Sequence, residues 1–326
     1  MGGRLAYGLE EISHDPDSLG RSGFWAVFTT FEGEWTCARF AHVVESELPE
    51  AKVPWQSVFE PWESSLSENE YVEYVKKIQG EIAQGWVYQV NACRQVRAPM
   101  PEQSLLPLMH EILKKNPAPF SSFLRLPHIE IASASPELFL QREGSVVTSA
   151  PIKGTKPPGS DEIAFGSKDT AENIMIVDLI RNDLGRICRT GSVSVPRLLE
   201  TQAHPGLSHL VSYVEGSLQE GISWHEISDA LLPPGSVSGA PKSSAISTIV
   251  DLEGLLRGPY CGALGWVEGQ RALLSLAIRI FWNGKDGILR FGTGAGITWG
   301  SDPEGEWEET ELKARRLIAI ANGEIS

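Results

Sequence analysis

Helical spacing of apolar side chains recurs along the chain, and several of these stretches carry helix-start signals. Ser67 and Glu70 form a capping box ahead of the first helical pattern, which stops at Gly85. Asp302 is placed as the N-cap of the last one, with Pro303 at its first helical position. The sequence therefore predicts helices at about 67–85, 103–115, 167–185, 239–254 and 302–322.

Alternation of apolar and polar residues predicts strands between these helices. The segment 86–96 places Trp86, Tyr88 and Val90 on one face. Further strand-like runs cover 121–148, and three successive strands are predicted at 261–268, 271–282 and 287–293. Because strands and helices do not alternate regularly, the pattern favours an antiparallel α+β fold over a doubly wound parallel sheet.

A boundary near residue 62 divides the chain into two parts of unequal length. Pro54, Pro61 and a following stretch rich in Glu and Ser mark this boundary. Residues 1–62 are predicted to form a short N-terminal segment of strands that completes the sheets. Residues 63–326 are predicted to form the main domain, which holds the candidate functional residues.

Composition and charge exclude several functional classes. With 41% apolar and 21% charged residues over 326 positions, the chain is predicted to be a soluble globular protein. Its 42 acidic and 28 basic residues give a net charge of −14, which disfavours binding to nucleic acid. The longest apolar stretch, 272–282, is interrupted by Ser275 and Arg279 and is too short to span a membrane. The 4 cysteines form no CxxC pair, so a reducing compartment, the cytoplasm, is predicted.

Acidic residues on two predicted helices are the candidate metal ligands. Glu306 and Glu309 lie within or beside the apolar face of the last helix, so both carboxylates can reach one cation. The apolar arc of the third helix likewise contains Asp169, Glu172 and Asp183. The alternatives are an exposed Glu309–Lys313 ion pair on the last helix and a favourable helix-dipole interaction on the third. Both helices together favour a hard cation, and Mg²⁺ is the better candidate because it takes few carboxylates.

Two glycine-rich segments, 235–243 and 292–296, differ from the nucleotide-binding motifs. In the first, Ala240 and Pro241 separate the second glycine from Lys242, unlike a Walker A loop. In the second, the third glycine comes one residue too early for GxGxxG, and no βαβ unit surrounds it. Nucleotide binding is therefore disfavoured, whereas anion binding by backbone N–H groups and a plain tight turn both stay open.

Three single residues stand out in or beside predicted strands. Lys153 lies in a stiff loop, 151–159, and a solvated surface lysine is the alternative to a nucleophile. A nucleophilic lysine must be neutral, and deprotonating an ordinary amine at pH 7 costs about 4–5 kcal/mol, which burial or a nearby cation would have to offset. His209 lies in a strand-like run, where a half-buried structural histidine is the default interpretation. Arg279, in a strongly apolar strand, indicates a carboxylate partner.

Several ordered sequence blocks resemble the chorismate-utilising enzyme family, which includes anthranilate synthase component I, aminodeoxychorismate synthase component I, and isochorismate and salicylate synthases. The resemblance covers about 68–321 and depends on the joint order of the blocks, since any one of them could arise by chance. The blocks are ASPEL at 134–138, PIKGT at 151–155, ENIMIVDLIRND at 172–183, GSVSGAPK at 235–242, RGPYCG at 257–262, GAGI at 294–297, SDP at 301–303 and ET at 309–310. This resemblance implies a sandwich of two antiparallel sheets with helices outside, and a chorismate-binding catalytic domain at 63–326.

The resemblance also implies roles for individual residues. Glu137 matches the general acid, and His209 matches an active-site histidine near the C4 side of the ring. The positions that match magnesium ligands and their neighbours are Glu172 and Glu309, with Asp169 and Glu306. The substrate-binding positions are Gly154, Thr155, Gly294, Ala295 and Gly296 for the ring carboxylate, and Tyr260, Arg279 and Lys313 for the enolpyruvyl carboxylate.

Two positions distinguish the members of this family. Gln89, a further candidate for substrate contact, stands where isochorismate and salicylate synthases carry a water-activating lysine, so water addition is disfavoured. Lys153 stands where anthranilate synthases have alanine, and the PIKGT form resembles the aminodeoxychorismate synthases. The resemblance thus implies attack of neutral Lys153 at C2 of chorismate, loss of the C4 hydroxyl with a proton from Glu137, and entry of ammonia at C4. The expected product is 4-amino-4-deoxychorismate, on the route to para-aminobenzoate and folate.

The sequence motifs also bear on where the ammonia comes from and on which other activities remain as alternatives. No cysteine stands in a Gly-x-Cys-x-Gly nucleophile setting, so ammonia is expected from a glutamine amidotransferase subunit or from solution. The first alternative is anthranilate synthase component I. The second, from a different functional class, is a catalytically silent subunit that binds chorismate.

Overall fold

The computed structural model describes residues 1–59, 61–156, 166–204 and 207–325, and within these ranges the chain forms two antiparallel β-sheets with helices packed on them. The strands are β1 (Arg4–Ser13), β2 (Phe24–Thr29), β3 (Trp35–Glu45), β4 (Glu63–Ser64), β5 (Gln89–Pro99), β6 (Ser122–Leu126), β7 (Ile129–Ser133), β8 (Leu138–Glu143), β9 (Val146–Ala150), β10 (Ile152–Lys156), β11 (Ser194–His204), β12 (Leu207–Ser217), β13 (Gly239–Ala240), β14 (Ala263–Glu268), β15 (Arg271–Leu276), β16 (Ile280–Asn283) and β17 (Ile288–Ile297). The helices are α1 (Glu68–Ala83), α2 (Leu106–Lys115), α3 (Ser167–Gly185), α4 (Trp224–Leu231), α5 (Gly235–Ser238), α6 (Lys242–Glu253) and α7 (Pro303–Ala321). The predicted α+β class is confirmed.

The two sheets differ in size and in the part of the chain that forms them. The larger sheet has the strand order β1-β3-β2-β14-β15-β8-β9-β12-β10, and β11 pairs with the other edge of β12. The smaller sheet has the order β13-β5-β17-β16-β7-β6, and β4 pairs with β5. Strands β9 and β10 pair with successive parts of β12, so they follow one another along the same edge.

Apolar side chains of the described residues pack in layers around the sheets. Between the sheets lie Leu264 and Leu276 of the larger sheet, against Ile131 and Ala295 of the smaller one. The outer face of the larger sheet packs on α3 and α4, and that of the smaller sheet packs on α2 and α7. Burial of both faces of each sheet confirms the predicted sandwich with helices outside.

Side-chain caps explain why most helices follow the sequence prediction. At α1, the Ser67 hydroxyl accepts the Glu70 N–H and the Glu70 carboxylate accepts the Ser67 N–H. At α7, the Asp302 carboxylate accepts the Gly305 N–H at 3.0 Å. Helix α4 was missed, although Ser223 forms a further capping box ahead of it. None of the helices in the described ranges is long and apolar enough to cross a membrane.

The strand predictions need two corrections. The single strand predicted at 271–282 is two strands, β15 in the larger sheet and β16 in the smaller one, separated at Arg279. At the point of division Arg279 has a φ of 54°, a left-handed conformation that interrupts a strand. Strand β5 begins at Gln89, so Trp86 and Tyr88 precede it and are exposed, with no sheet face to cover them.

A buried arginine joins three of the elements around the sandwich. Arg257 is 1% exposed, and its guanidinium forms an ion pair with Glu253 of α6 at 2.6 Å. It also donates to the carbonyls of Val237 in α5 at 2.9 Å and of Asn91 in β5 at 2.8 Å. The Phe31 ring covers its other side, with 4.1 Å from ring centroid to guanidinium carbon. Arg257 therefore fixes α5 and α6 against the smaller sheet.

Replacement of Arg257 by methionine is expected to lower the free energy of unfolding by about 3–5 kcal/mol, because the buried Glu253 loses its ion pair. Urea denaturation followed by tryptophan fluorescence measures the change. The matched control is Arg271→Met, which breaks an exposed ion pair with Glu143 and is expected to cost less than about 1 kcal/mol. Equal losses in the two variants would contradict the structural role of Arg257.

Candidate active site

Two crossings of the chain between the sheets place Glu137 and Arg279 together. Glu137 follows β7 and immediately precedes β8, whereas Arg279 lies between β15 and β16. The crossings are hydrogen-bonded to each other: the Leu276 N–H donates to the Glu137 carbonyl at 3.0 Å, and the Ala134 N–H donates to the Arg279 carbonyl at 3.0 Å. The two side chains interact electrostatically, so the carboxylate partner expected for Arg279 is Glu137.

The carboxyl group of Glu137 is buried beside both polar and charged groups. Burial raises the pKa of Glu137 to about 7, although Ser236, Lys153 and the Ile152 N–H all stabilise its carboxylate form. The Ser236 hydroxyl donates to Glu137 Oε1 at 2.8 Å. A carboxyl group with this pKa is partly protonated at neutral pH and can donate a proton to a bound molecule.

A bulge in β10 sets the positions of Lys153 and His209. The pairing of β10 with β12 shifts register between Lys153 and Thr155, where Gly154 has a φ of 69° that favours glycine. Nδ1 of the buried His209 donates to the Gly154 carbonyl at 3.3 Å. Lys153 is half-buried and interacts electrostatically with Glu137. The loop predicted at 151–159 is thus a strand as far as residue 156, because its backbone pairs with β12, and 157–159 lie outside the described residues.

Glycines of β17 allow two side chains, those of Tyr260 and Gln89, to approach the backbone of the smaller sheet. A Cβ at Gly292 would lie 2.2 Å from Cγ of Tyr260, so the tyrosine ring packs directly on this glycine. A Cβ at Gly296 would lie 2.3 Å from Nε2 of the buried Gln89. Gly294 and Ala295 pair with β5, so the glycine-rich segment 292–296, for which a tight turn was one alternative, is a strand held by backbone hydrogen bonds. The glycines of this segment therefore let Tyr260 and Gln89 pack directly against the backbone of β17.

Helix α7 places a cation and two acids over this strand. Nζ of Lys313 donates to the Gly294 carbonyl at 2.9 Å and lies 2.6 Å from Oε1 of Glu309. The i,i+4 ion pair considered as the alternative for Glu309 is therefore present, although the same lysine also contacts the substrate-binding candidate Gly294. Glu306 is only 4% exposed, in agreement with its predicted position inside the apolar face of the helix.

A second buried arginine fixes the rotation of α7. Arg94 of β5 donates to the Thr310 hydroxyl at 3.0 Å, to the Ser64 hydroxyl at 3.0 Å and to the Glu311 carboxylate. Its guanidinium carbon lies 4.1 Å from the centroid of the Trp307 ring. Because these contacts surround the acidic turn of α7, they determine which way its carboxylates point.

Helix α3 carries the other predicted metal ligands beside the strand that holds His209. Glu172 is half-buried, and its neighbour Asn173 accepts from the Ser212 hydroxyl of β12 at 2.5 Å. Asp183, at the far end of the helix, is buried in an ion pair with Lys242 at 2.6 Å. The side chains of Asp169 and Thr155 lie outside the described residues.

The described carboxylates suit Mg²⁺ by chemistry, because Mg²⁺ prefers oxygen ligands and uses only one or two carboxylates with water and substrate oxygens. Glu172 lies on α3, and Glu306 and Glu309 lie on α7. Within the described ranges, no three His, Cys, Asp or Glu side chains form a group that would hold a metal by themselves. The magnesium site stays a prediction.

One functional contact was missed by sequence reasoning. Ser236, which donates to the candidate acid Glu137, was seen only as part of the glycine-rich segment 235–243. A serine near the start of a helix is an ordinary feature of a turn. The local sequence around Ser236 therefore gave no sign that its hydroxyl contacts a distant residue. The ASPEL and GSVSGAPK blocks together were the available signal, because two blocks of one motif set tend to meet in space.

Comparison with known proteins assigns the chain to a family. The model of the chorismate binding enzyme family matches residues 25–319. The chain belongs to this family. Within the family, two curated relatives each share 35% identity with it: anthranilate synthase component 1 of Saccharolobus solfataricus, over 266 residues, and aminodeoxychorismate synthase component 1 of Salmonella typhimurium, over 291 residues. These alignments cover 78% and 86% of the chain but 63% of each relative, so the chain spans less than two thirds of their length.

Solved structures of chorismate-utilising enzymes share the sandwich. Anthranilate synthase component I of Streptococcus pneumoniae superposes with a TM-score of 0.83 at 22% identity, covering 97% of this chain and 91% of its own. The menaquinone-specific isochorismate synthase of Escherichia coli superposes with a TM-score of 0.78 at 17% identity, covering 98% and 85%. The fold of the family is thus common to members with different products, and individual side chains must distinguish them.

Proposed function

We propose that this chain transfers an amino group from ammonia to C4 of chorismate and forms 4-amino-4-deoxychorismate. The observation that carries the proposal is the position of Lys153, half-buried on β10 and near enough to the buried acid Glu137 to lower its pKa electrostatically. In this position the lysine can attack C2 while the acid assists departure of the C4 hydroxyl. Family membership and the aminodeoxychorismate synthase relative support the same activity.

The electrostatic interaction between Lys153 and Glu137 offers a way to activate both groups. An ammonium beside a carboxylate and a neutral amine beside a carboxylic acid hold the same number of protons. Transfer of one proton from Lys153 to Glu137 therefore produces the nucleophile and the acid together, without exchange with bulk water. Burial, which raises the pKa of Glu137 to about 7, lowers the free energy needed for this transfer.

Each bond change of the proposed reaction has a group that serves it. The Lys153 amine forms a C–N bond at C2 as the C4–O bond breaks, and the proton of Glu137 lets the hydroxyl leave as water. Ammonia then forms a C–N bond at C4 and displaces the lysine, with His209 on the C4 side of the ring. The enolpyruvyl group stays attached, so a separate lyase would complete the route to para-aminobenzoate and folate.

Local positive charge is needed because the substrate is a dianion and the chain carries a net charge of −14. Arg279 lies at the crossing and Lys313 lies over β17, and both are proposed to attract the enolpyruvyl carboxylate. Bound Mg²⁺ would add electrostatic stabilisation of the ring carboxylate. The residues proposed to hold it are Glu172 and Glu309, with Glu306 and Asp169 beside them.

Ammonia is proposed to come from a glutamine amidotransferase subunit. The curated relatives are named as component 1 of their enzymes, which supports a second component. None of the 4 cysteines lies in the sequence setting of a glutamine-hydrolysing nucleophile, so the chain itself is not proposed to release ammonia.

The second candidate function is that of anthranilate synthase component I. It is favoured by a relative of that name at the same 35% identity. A catalytically silent chorismate-binding subunit is a further alternative. Lys153 separates the candidates, because the anthranilate reaction places ammonia at C2 and leaves a lysine nucleophile without a step to perform.

The deciding experiment incubates the purified chain with chorismate, Mg²⁺ and ammonium and identifies the product by mass spectrometry. We expect 4-amino-4-deoxychorismate, and a transient covalent adduct on the peptide that contains Lys153 after acid quenching. Release of anthranilate with pyruvate would favour the second candidate function. Unchanged chorismate under these conditions would favour the silent subunit.

A further inference from the structure

A small cavity lies between Glu137 and the helices on the outer face of the larger sheet. Its volume is about 20 Å³, enough for a single water molecule. The polar side chains that line it are Glu137, Ser149, Asp183 and Ser236, and its apolar lining includes Leu184 and Leu231. A water here would have the two to four polar partners that buried waters usually have.

Helix α5 brings the two carboxyl groups to the same cavity. Ser236 donates to Glu137 at 2.8 Å, and a Cβ on the preceding Gly235 would lie 3.9 Å from Oδ2 of Asp183. The absence of a side chain at Gly235 therefore keeps the space beside Asp183 open. The general acid proposed for the reaction and a second buried acid therefore line the same small cavity.

The Asp183–Lys242 ion pair connects this cavity with solvent. Asp183 is buried, and Nζ of Lys242 lies 2.6 Å from its Oδ2 and also donates to the carbonyls of Ala230 and Leu231 at 3.3 and 3.4 Å. The Lys242 side chain keeps 17% of its surface exposed, so the ion pair lies near the protein surface. Burial raises the pKa of Asp183 and lowers that of Lys242, which brings their proton affinities closer together.

We propose that Asp183 and Lys242 return a proton to Glu137 through one water held in this cavity. The inference rests on the proposed function, since it requires Glu137 to lose a proton to the leaving hydroxyl in each turnover. The cavity water gives a proton to the Glu137 carboxylate and takes one from the Asp183–Lys242 pair. Lys242 then takes a proton from bulk water, so the pair returns to its starting state and no other reactant is consumed.

The need for such a relay follows from the surroundings of the general acid. Glu137 is buried, and the charged groups that face it are Lys153, which is proposed to be bonded to the substrate during the reaction, and Arg279, which does not release its proton. Ser236 donates a hydrogen bond to Glu137, but its neutral hydroxyl is not an acid that could replace the lost proton. If ammonia enters as the neutral base and the product leaves as an ammonium, one proton per turnover has to come from solvent. Asp183 is faced by Lys242 and by Arg186.

The test compares Asp183→Asn with Asp178→Asn, an exposed aspartate of the same helix that pairs with Arg181. In Asp183→Asn we expect kcat with chorismate and ammonium to fall about tenfold or more while KM is unchanged. The solvent deuterium isotope effect on kcat should rise, and formate or acetate should restore part of the rate by carrying protons in place of the missing carboxylate. Asp178→Asn should behave as the wild type in all these measurements.

Asp183→Asn removes the ion-pair partner of Lys242 and could prevent folding, so a second, cavity-filling variant tests the same relay. Leu231→Phe keeps the ion pair but fills the water site, so we expect the same loss of kcat without rescue by formate or acetate. A wild-type isotope effect and rate in the folded variants would overturn the relay and leave the proposed function intact. A wild-type chain that does not convert chorismate with ammonium would overturn the proposed function, and the relay with it.

Discussion

Replacement of Lys153 by alanine is expected to abolish formation of 4-amino-4-deoxychorismate, lowering kcat by about 10³-fold or more, as when a covalent nucleophile is removed. The reason is that ammonia cannot displace the C4 hydroxyl through this route unless the lysine first adds at C2. The variant should still bind chorismate, because the other proposed substrate-binding residues, Arg279 and the glycines of β17 among them, are unchanged. Product formation is followed by mass spectrometry, and binding by calorimetry.

The informative control for this variant is Lys153→Arg, which keeps a positive charge beside Glu137 but provides no nucleophile at neutral pH. If Lys153 only attracts the anionic substrate, arginine should preserve much of the activity and alanine should mainly raise KM. If Lys153 forms the covalent bond, both variants should lose kcat to a similar extent. Activity of Lys153→Arg near that of the wild type would therefore contradict the nucleophilic role.

The parts of the fold that the sequence predicted well have short-range causes. Helices α1 and α7 begin where Ser67 and Asp302 cap them, and such caps involve residues only three positions apart. Antiparallel pairing and the α+β class follow from irregular alternation of strands and helices. These features need no knowledge of the distant partners of any residue.

The parts that the sequence did not predict depend on contacts between distant segments. The apolar run 271–282 looks like one strand, and only its pairing with β8 on one side and β7 on the other divides it between the sheets at Arg279. The segment around Gly294 looks like a loop because glycine disfavours strands. In the structure it pairs with β5, and its glycines make room for Tyr260 and Gln89.

The candidate site shows the same limit. Motif resemblance named Glu137, Lys153 and Arg279 separately, but the two hydrogen-bonded crossings and the β10 bulge bring them together. Ser236 acquires its role only through a partner 99 positions away in the chain. Sequence blocks therefore named the candidate residues, and the packing of the two sheets supplied their arrangement.

Replacement of Glu137 by glutamine is expected to lower kcat by about 10²- to 10⁴-fold, the range usual for loss of a general acid. Glutamine keeps the shape of the side chain and can still accept from Ser236, but it has no proton to give to the leaving hydroxyl. The matched control is Glu130→Gln, another buried glutamate, which accepts from Lys285 and Leu105 away from Lys153. A loss of kcat in Glu130→Gln equal to that in Glu137→Gln would show that any buried glutamate has this effect.

The same carboxyl group predicts a pH dependence of chorismate binding. Below about pH 7 Glu137 is protonated, and above it the group becomes an anion that repels the dianionic substrate. Affinity measured by calorimetry in the inactive Lys153→Ala background should therefore weaken as pH rises, by up to about tenfold per pH unit beyond the midpoint. Because Lys153 itself lowers the pKa of Glu137, its removal should move this midpoint upward from 7. In Lys153→Ala/Glu137→Gln the dependence should disappear, and its persistence would assign the titration to another group.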